Sequence, residues 1–220
     1  MRYLIVCGGK IDKEFGLNEI KTDGIDAIIA ADSGMDFLYE NGVTPDIIVG
    51  DFDSTTTNAL EYFERKGQTE IRRLNPIKDD TDTEYAIRLA ISEGARSIVL
   101  LGATGSRIDH VLGNISLLGI GLESGTDISI IDTNNRIRMA DKPVTIEKSA
   151  QYGRFVSLIA LTDDNEVSLK GFKYPVTDYS FDRFTSLGIS NEIVDDHALI
   201  DIHRGKFIII AVSYTHLTLP

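Results

Sequence analysis

Two aspartates one residue apart, Asp51 and Asp53, directly follow the apolar run Ile47–Gly50. A second acidic group, Asp79-Asp80-Thr81-Asp82, comes further along the chain. Clustered carboxylates repel one another unless a cation neutralises them. Oxygen ligands of this type suit Mg²⁺, which is usually held by one or two carboxylates together with substrate phosphates. The pattern therefore predicts a magnesium site that handles phosphate groups.

The same acidic residues also have simpler interpretations. The first pair could be turn-forming residues of a solvated loop. Asp82 opens a predicted helix and could be its N-cap, for which Thr81 is the competing candidate. Asp79 and Asp80 fit a solvated acidic turn. Their neighbour Lys78 could meet a phosphate or pair with a nearby carboxylate.

A glycine-rich segment at 102–110 is the second chemical feature, with the sequence Gly-Ala-Thr-Gly-Ser-Arg-Ile-Asp-His. Glycines let the backbone approach a ligand closely, and a helix that starts here would direct N–H groups at an anion. Arg107 adds a planar donor for phosphate oxygens. Asp109 could bind there or cap the helix, and His110 could orient a nucleotide or be structural. Asn114, one helical turn on, could hold a loop or a base edge.

The elements that position these residues alternate between strand and helix in the first part of the chain. The predicted strands are Tyr3–Cys7, Ala27–Ala31, Ile47–Gly50, Ser97–Leu101 and Asp127–Ile131. The predicted helices are Asp82–Glu93 and Ile108–Leu122, the second with one apolar stripe of Ile108, Val111, Leu112, Ile115, Leu118 and Leu122. Continuously apolar strands between helices indicate a mostly parallel sheet covered on both faces. Ligands of such folds bind beyond the carboxyl ends of the strands, where Gly8-Gly9, Asp32, the Asp51 pair and Gly102–Gly105 would share one rim.

The pattern changes near residue 133. Short strand-like runs separated by turns replace the helical stripes, namely Val144–Glu147, Phe155–Leu161, Glu166–Leu169, Ala198–Ile202 and Phe207–Val212. They predict a small antiparallel β domain. We therefore predict an α/β domain at 1–133 and a small antiparallel β domain at 134–212. Residues 213–220 match neither pattern and are expected to be a disordered end or a segment foreign to the fold.

Composition limits the possible partners. The chain has 220 residues, a net charge of −12 and 42% hydrophobic residues. So acidic a protein is a poor general binder of nucleic acid or of an anionic membrane. The one cysteine, Cys7, lies in the first apolar run and is expected to be a small buried residue. The N-terminus lacks the pattern of a signal peptide, and we expect a cytoplasmic protein.

Taken together, the motifs resemble those of the thiamine pyrophosphokinase family. They occur in the family's order over nearly the whole chain: Ala31-Asp32-Ser33-Gly34, Gly50-Asp51-Phe52-Asp53-Ser54, Lys78-Asp79, Thr81-Asp82, Gly102-Ala103-Thr104-Gly105, Arg107, Asp109-His110, Gly113-Asn114 and Ser190-Asn191-Glu192. The Gly-Asp-Phe-Asp-Ser and Gly-Ala-Thr-Gly runs are the specific ones. Lys78 departs from the pattern, because some members carry glutamine there.

The resemblance implies a fold, an assembly and a set of roles. The fold is an α/β nucleotide domain followed by a β-sandwich, in a homodimer with active sites at its interface. Four aspartates would surround Mg²⁺ and the ATP phosphates: Asp32, Asp51, Asp53 and Asp82. The ATP-binding residues would be Ser33, Lys78, Thr104, Gly105, Ser106, Arg107, Asp109 and His110. Thiamine would be bound by Ser190 and Asn191, with Asp82 near its hydroxyl.

The implied reaction transfers the pyrophosphoryl group of ATP to the hydroxyl of thiamine, giving thiamine diphosphate and AMP. Asp51, Asp53, Asp82 and Arg107 would then be the catalytic residues. One alternative is a Mg²⁺-dependent phosphatase in which the first aspartate of the Asp-x-Asp pair is a nucleophile. Another is a nucleotide-binding module without turnover.

Overall fold

The computed structural model of the chain describes residues 1–52, 57–75 and 80–213. Asp53, Lys78 and Asp79 lie outside the described residues, as does the predicted tail beyond Ser213. The chain divides into two compact units, and the boundary falls between Asp132 and Thr133. Each unit is described by itself below.

The first unit alternates strands and helices from its start to its end. Its strands are β1 (Arg2–Val6), β2 (Ala27–Ala31), β3 (Ile47–Gly50), β4 (Glu70–Arg73), β5 (Ser97–Leu101) and β6 (Asp127–Ile131). Its helices are α1 (Lys13–Ile20), α2 (Gly34–Glu40), α3 (Thr57–Lys66), α4 (Asp82–Ser92) and α5 (Ile108–Ser124). The predicted strands and both predicted helices are therefore confirmed to within two residues at their ends.

All strand pairs of this unit are parallel, in the order β6-β5-β1-β2-β3-β4. Side chains alternate between the two faces of a strand. Leu4 and Val6 pack with Met35 of α2 and Phe63 of α3 in one buried cluster. Helix α4 packs on β1, β2 and β3 and also contacts α5, and its Ile87 is fully buried. The predicted parallel sheet with helices is confirmed.

Part of the apolar stripe of α5 does not enter the core of the single chain. Leu118 is buried, at 1% exposure, whereas Ile108 and Leu112 are 65% and 60% exposed. The predicted apolar stripe is therefore buried at Leu118 and exposed in the first turns of this helix. These turns directly follow the glycine-rich segment.

The second unit is built from antiparallel strands. They are β7 (Asn135–Ala140), β8 (Val144–Glu147), β9 (Phe155–Ala160), β10 (Glu166–Lys170), β11 (Val176–Ser180), β12 (Asn191–Glu192), β13 (His197–Arg204) and β14 (Phe207–Val212), with one 3₁₀ turn at Lys148–Ala150. One set has the order β7-β14-β9-β12 and the other the order β8-β13-β10-β11.

Both sets contribute to one apolar core. Val156 and Phe207 come from the first set, Val167 and Ile200 from the second, and all four are fully buried. Two antiparallel sheets around a shared core form a β-sandwich. The predicted small antiparallel β-sandwich is confirmed. Among the described parts of the chain, no helix is long and apolar enough to cross a membrane.

Candidate active site

Three carboxylates lie together near the carboxyl ends of the strands of the first unit. Asp32, Asp51 and Asp82 each offer an oxygen, and the three oxygens lie within 4.8 Å of one another. All three residues are half-buried. Three neighbouring carboxylates repel one another when no cation is bound. Their oxygens form a site of the kind that binds a divalent cation. Asp32, Asp51 and Asp82, which the resemblance groups around Mg²⁺, therefore lie together in the structure.

The ends of two adjacent parallel strands bring the first two carboxylates together. Asp32 follows β2 and Asp51 follows β3, and the backbone N–H of Asp32 donates to the carbonyl of Val49 at 2.8 Å. A Cβ at Gly50 would lie only 3.2 Å from the Cα of Asp32. Asp32 itself has φ 49, in the left-handed region. The glycine at the end of β3 thus allows the loop that carries Asp51 to approach the loop that carries Asp32.

The third carboxylate is placed by the start of α4. Thr81 is the N-cap of this helix, and its hydroxyl accepts the N–H of Glu84 at 3.2 Å. The alternative that Asp82 caps the helix is therefore wrong. Asp82 occupies the first helical position, where the helix dipole favours a negative charge. Its carboxylate is consequently directed to the acidic cluster rather than to the cap.

The glycine-rich segment after β5 is held by two neighbours. Gly102 has φ 72, and its carbonyl accepts the N–H of Gly9 at 2.9 Å. The side chain of Asn114 donates from Nδ2 to the carbonyl of Ala103 at 2.8 Å. Of the two interpretations of Asn114, holding a loop is the one that the structure supports. Thr104 is half-buried, and Gly105 and Ser106 are exposed.

The charged residues that follow this segment interact with each other. Arg107 Nη2 lies 2.6 Å from Asp109 Oδ2, and both side chains are about two-thirds exposed, at 68% and 66%. Hydrogen bonding from Arg107 lowers the pKa of Asp109 from 3.8 to about 2. Arg107 is the N-cap residue of α5, so the alternative that Asp109 caps this helix is wrong. His110 is exposed in the first turn.

The two residues predicted to bind thiamine lie in the second unit and have different surroundings. Ser190 is exposed, has φ 61, and donates its N–H to Ser157 Oγ at 3.0 Å. Asn191 is buried, at 6% exposure. Its Oδ1 accepts from the N–H groups of Tyr174 and Glu192, and its Nδ2 donates to the carbonyl of Tyr174. The Asn191 amide therefore stabilises the fold around Ser190.

One contact beside the acidic cluster has no counterpart among the predicted site residues. The hydroxyl of Thr83 donates to Sγ of Cys7 at 3.7 Å, joining the start of α4 to the end of β1. Burial raises the pKa of Cys7 from 9.0 to about 11, so the thiol stays protonated. Cys7 is buried as predicted. The sequence offered one indication of this contact, which is that Thr83 immediately follows Asp82.

Fold and site together define a class of protein. A parallel α/β unit that gathers carboxylates and a glycine-rich loop at its strand ends, followed by a β-sandwich, is typical of an enzyme acting on phosphate-containing substrates. Two family descriptions match the chain, "Thiamin pyrophosphokinase, catalytic domain" at residues 21–130 and "Thiamin pyrophosphokinase, vitamin B1 binding domain" at residues 143–207. The chain belongs to the thiamine pyrophosphokinase family.

Individual relatives agree with this assignment. The thiamine pyrophosphokinase of Bacillus subtilis (strain 168) is 34% identical over 184 residues, covering 83% of this chain and 85% of that protein. A crystal structure of thiamine pyrophosphokinase from Bacillus subtilis has a TM-score of 0.87 and 31% identity, covering 98% of this chain and 100% of the other. The structure from Geobacillus thermodenitrificans has a TM-score of 0.85 and 28% identity, with full coverage of both chains. The resemblance stated from the motifs is confirmed.

Proposed function

We propose that this protein transfers the pyrophosphoryl group of ATP to the hydroxyl of thiamine, giving thiamine diphosphate and AMP. Family membership supports the reaction and makes the protein a transferase of the pyrophosphokinase type. The observation that carries the proposed site is the triad of Asp32, Asp51 and Asp82, whose oxygens lie within 4.8 Å of one another. Nothing in the family supports the phosphatase alternative.

The donor set of this triad fits Mg²⁺. The ion prefers oxygen ligands and is usually held by a small number of carboxylates that leave positions for phosphate. Asp32, Asp51 and Asp82 would hold it, and Asp53 is predicted to join them. When bound, Mg²⁺ would neutralise charge on the β- and γ-phosphates of ATP.

The glycine-rich segment and the start of α5 would hold the nucleotide. The predicted ATP-binding residues in this part of the chain are Thr104, Gly105, Ser106, Arg107, Asp109 and His110. The guanidinium of Arg107 is bound to Asp109 at the surface. Exposed ion pairs of this kind are weak, so a phosphate group can replace the Asp109 carboxylate as the partner of the guanidinium. Ser33 and Lys78 are predicted to bind ATP as well.

Transfer requires positioning and charge neutralisation more than covalent help from the protein. The hydroxyl oxygen of thiamine forms a bond to the β-phosphorus, and the bond from that phosphorus to the oxygen bridging it to the α-phosphate breaks. AMP leaves with this oxygen, and the hydroxyl proton is lost. We assign the orientation of the hydroxyl and the acceptance of its proton to Asp82.

Thiamine recognition is assigned to the second unit. Ser190 is exposed, its backbone N–H is bound by Ser157 Oγ, and the amide of the adjacent Asn191 binds the backbone of Tyr174. Asn191 was predicted to contact thiamine as well, and that contact stays a prediction. A homodimer with active sites at its interface, and a cytoplasmic location, also stay predictions.

A direct assay tests the reaction. Purified protein is incubated with Mg²⁺, ATP and thiamine, and AMP and thiamine diphosphate are quantified by chromatography. We expect both products in equal amounts and none when thiamine is left out. A phosphatase would instead release phosphate without thiamine and form a trappable aspartyl-phosphate. That outcome, or absence of thiamine diphosphate, would contradict the proposal.

Mixing two variants, at a thiamine concentration too low for either one alone to be active, tests the shared site. If each active site combines the first unit of one chain with the second unit of its partner, Asp51→Asn and Ser190→Gly damage different halves. Mixed dimers of the two variants then contain one site with both residues intact. We expect activity to return after the chains are exchanged, but not in either variant alone. Dimers that form without any return of activity would place the whole site in one chain.

A further inference from the structure

The loop after β1 lies between two parts of the chain that are predicted to bind ATP, namely Ser33 and the glycine-rich segment that begins at Gly102. In the sheet, β1 is placed between β2 and β5. A Cβ at Gly8 would collide with Ser33 Oγ, beside the acidic cluster. A Cβ at Gly9 would collide with the carbonyl oxygens of Gly102 and Thr104. Both glycines are exposed, and the sequence placed them on the ligand rim without assigning a role to either.

The two collisions differ in their consequences. Ser33 Oγ is the end of a short side chain that can rotate away. The oxygens that face Gly9 belong to the backbone, and that of Thr104 would lie 2.5 Å from the Cβ, closer than the 3.0 Å that real Cβ atoms keep. The N–H of Gly9 also donates to Gly102 at 2.9 Å. A side chain at Gly9 must therefore displace the segment that contains Thr104.

Asn114 holds the same segment through a different atom. Its Nδ2 donates to the carbonyl of Ala103 at 2.8 Å, from a half-buried position on α5. Ala103 is itself 3% exposed. The backbone from Gly102 to Thr104 is thus fixed by one contact from the β1 loop and another from α5. The two carbonyls that accept these hydrogen bonds belong to Gly102 and Ala103, which are not among the predicted ATP-binding residues.

We propose that Gly9 and Asn114 are positioning residues for the nucleotide, acting through the backbone of Gly102–Thr104. This inference rests on the proposed function, in which Thr104 belongs to the ATP-binding segment. Groups that bind a transferring phosphate must be held in place before the substrate arrives, and a displacement of about 1 Å can reduce the rate by about 100-fold. Gly9 and Asn114 hold the segment without touching the substrate.

The first test compares two glycine substitutions. Gly9→Ala is expected to raise KM for ATP by about tenfold or more, and to weaken ATP binding in calorimetry, while KM for thiamine stays close to that of the wild type. Gly113→Ala is the matched control. Gly113 is exposed on α5, and apart from its chain neighbours and its own helix backbone no described atom lies within 4 Å of an added Cβ, so ATP binding should be unchanged.

The second test uses a side chain whose removal is expected to leave the fold intact. Asn114→Ala loses the hydrogen bond to Ala103 and should raise KM for ATP in the same selective manner. Ser116→Ala, which removes an exposed hydroxyl that donates to Leu112 of the same helix, is its control. Thermal unfolding of all four variants shows which are folded. If Gly9→Ala fails to fold, Asn114→Ala decides the question.

The outcomes separate the inference from the proposed function. Selective loss of ATP affinity in Gly9→Ala or Asn114→Ala, with both controls normal, supports the inference. If the wild type is active and folded variants keep its KM for ATP, the inference is overturned and the proposed function stands. Equal loss of ATP and thiamine affinity also overturns it. If the wild type binds ATP but forms no thiamine diphosphate, the proposed function fails while the effect on ATP binding still tests the inference.

Discussion

Arg107 binds Asp109 through two of its nitrogens, with Nη2 at 2.6 Å from Oδ2 and Nε at 3.3 Å from Oδ1. Both residues belong to the segment that we assign to ATP. The carboxylate thus holds the guanidinium at the start of α5. Because the pair is exposed, it costs little to break.

The first prediction concerns the titration of this pair. The Arg107 guanidinium lowers the pKa of Asp109 to about 2, and Arg107→Gln should return it towards 3.8. Carboxyl chemical shifts followed by NMR through acid pH measure both values in the protein without ATP. The lowered pKa means that the pair stabilises the fold above the ordinary pKa and loses this contribution as pH falls towards 2. The contribution should be small, and an unchanged pKa in Arg107→Gln would refute the pairing in solution.

The second prediction concerns the acidic cluster. Asp51→Asn or Asp82→Asn removes one of three neighbouring charges, so the melting temperature without metal should stay the same or rise. Activity should be lost, and saturating Mg²⁺ should stabilise the variants less than the wild type. Differential scanning calorimetry with Mg²⁺ and with a chelator gives these values. The same result is predicted for Asp53→Asn, at a position outside the described residues.

Loss of folding in both cluster variants would contradict a purely functional role for these carboxylates. Asp36→Asn is a suitable control, since this half-buried aspartate lies in the first turn of α2 and was not predicted to bind the metal. Its response to Mg²⁺ should match that of the wild type.

The third prediction concerns Cys7 at high pH. Burial raises its pKa from 9.0 to about 11, so the unfolded chain loses this proton at lower pH than the folded protein does. The neutral thiol then contributes stability that is present below pH 9 and lost as pH rises to about 11. The size of this loss is about 3 kcal/mol. Urea unfolding at several pH values gives the free energy of unfolding, which should decline less steeply with rising pH in Cys7→Ala than in the wild type. The same pH dependence in both proteins would refute the prediction.

The fourth prediction separates the two neighbours of the second unit. Asn191→Ala removes the amide that pairs with Tyr174 and Glu192, and should lower the free energy of unfolding by about 3 kcal/mol because backbone groups lose their partners. Ser190→Gly removes only an exposed hydroxyl, and its φ of 61 is one that glycine adopts without strain. It should raise KM for thiamine without lowering the melting temperature. A destabilised Ser190→Gly with normal KM would reverse these assignments.

The first sheet was predictable because its strands are apolar on both faces, as Ile47–Gly50 shows. The strand Glu70–Arg73 was missed, since it has one apolar residue and lies at the edge of the unit's strand order. An edge strand covers less of the core and tolerates charged side chains. Helix α3 was missed for a related reason, because its exposed face is rich in charged residues.

The acidic cluster was predictable because parallel strands end at one edge, which fixes Asp32 and Asp51 without knowledge of side chains. The pairing of Arg107 with Asp109 and the use of the Asn191 amide by Tyr174 were not predictable. The first depends on side-chain rotamers and the second on a neighbour distant in sequence, and no pattern of residue types encodes either. The close contact of Gly9 with Thr104 likewise depends on the order of strands in the sheet.

At the start of α4, one residue stabilises the helix and a different one contributes to the acidic cluster. The hydroxyl of Thr81 accepts the N–H of Glu84, while the adjacent Asp82 belongs to the acidic cluster. Substitutions at Asp82 can therefore accumulate without unwinding the helix, and the capping residue can vary among Ser, Thr and Asn without altering the ligand set. Ion preference and helix stability can evolve, or be engineered, one residue at a time.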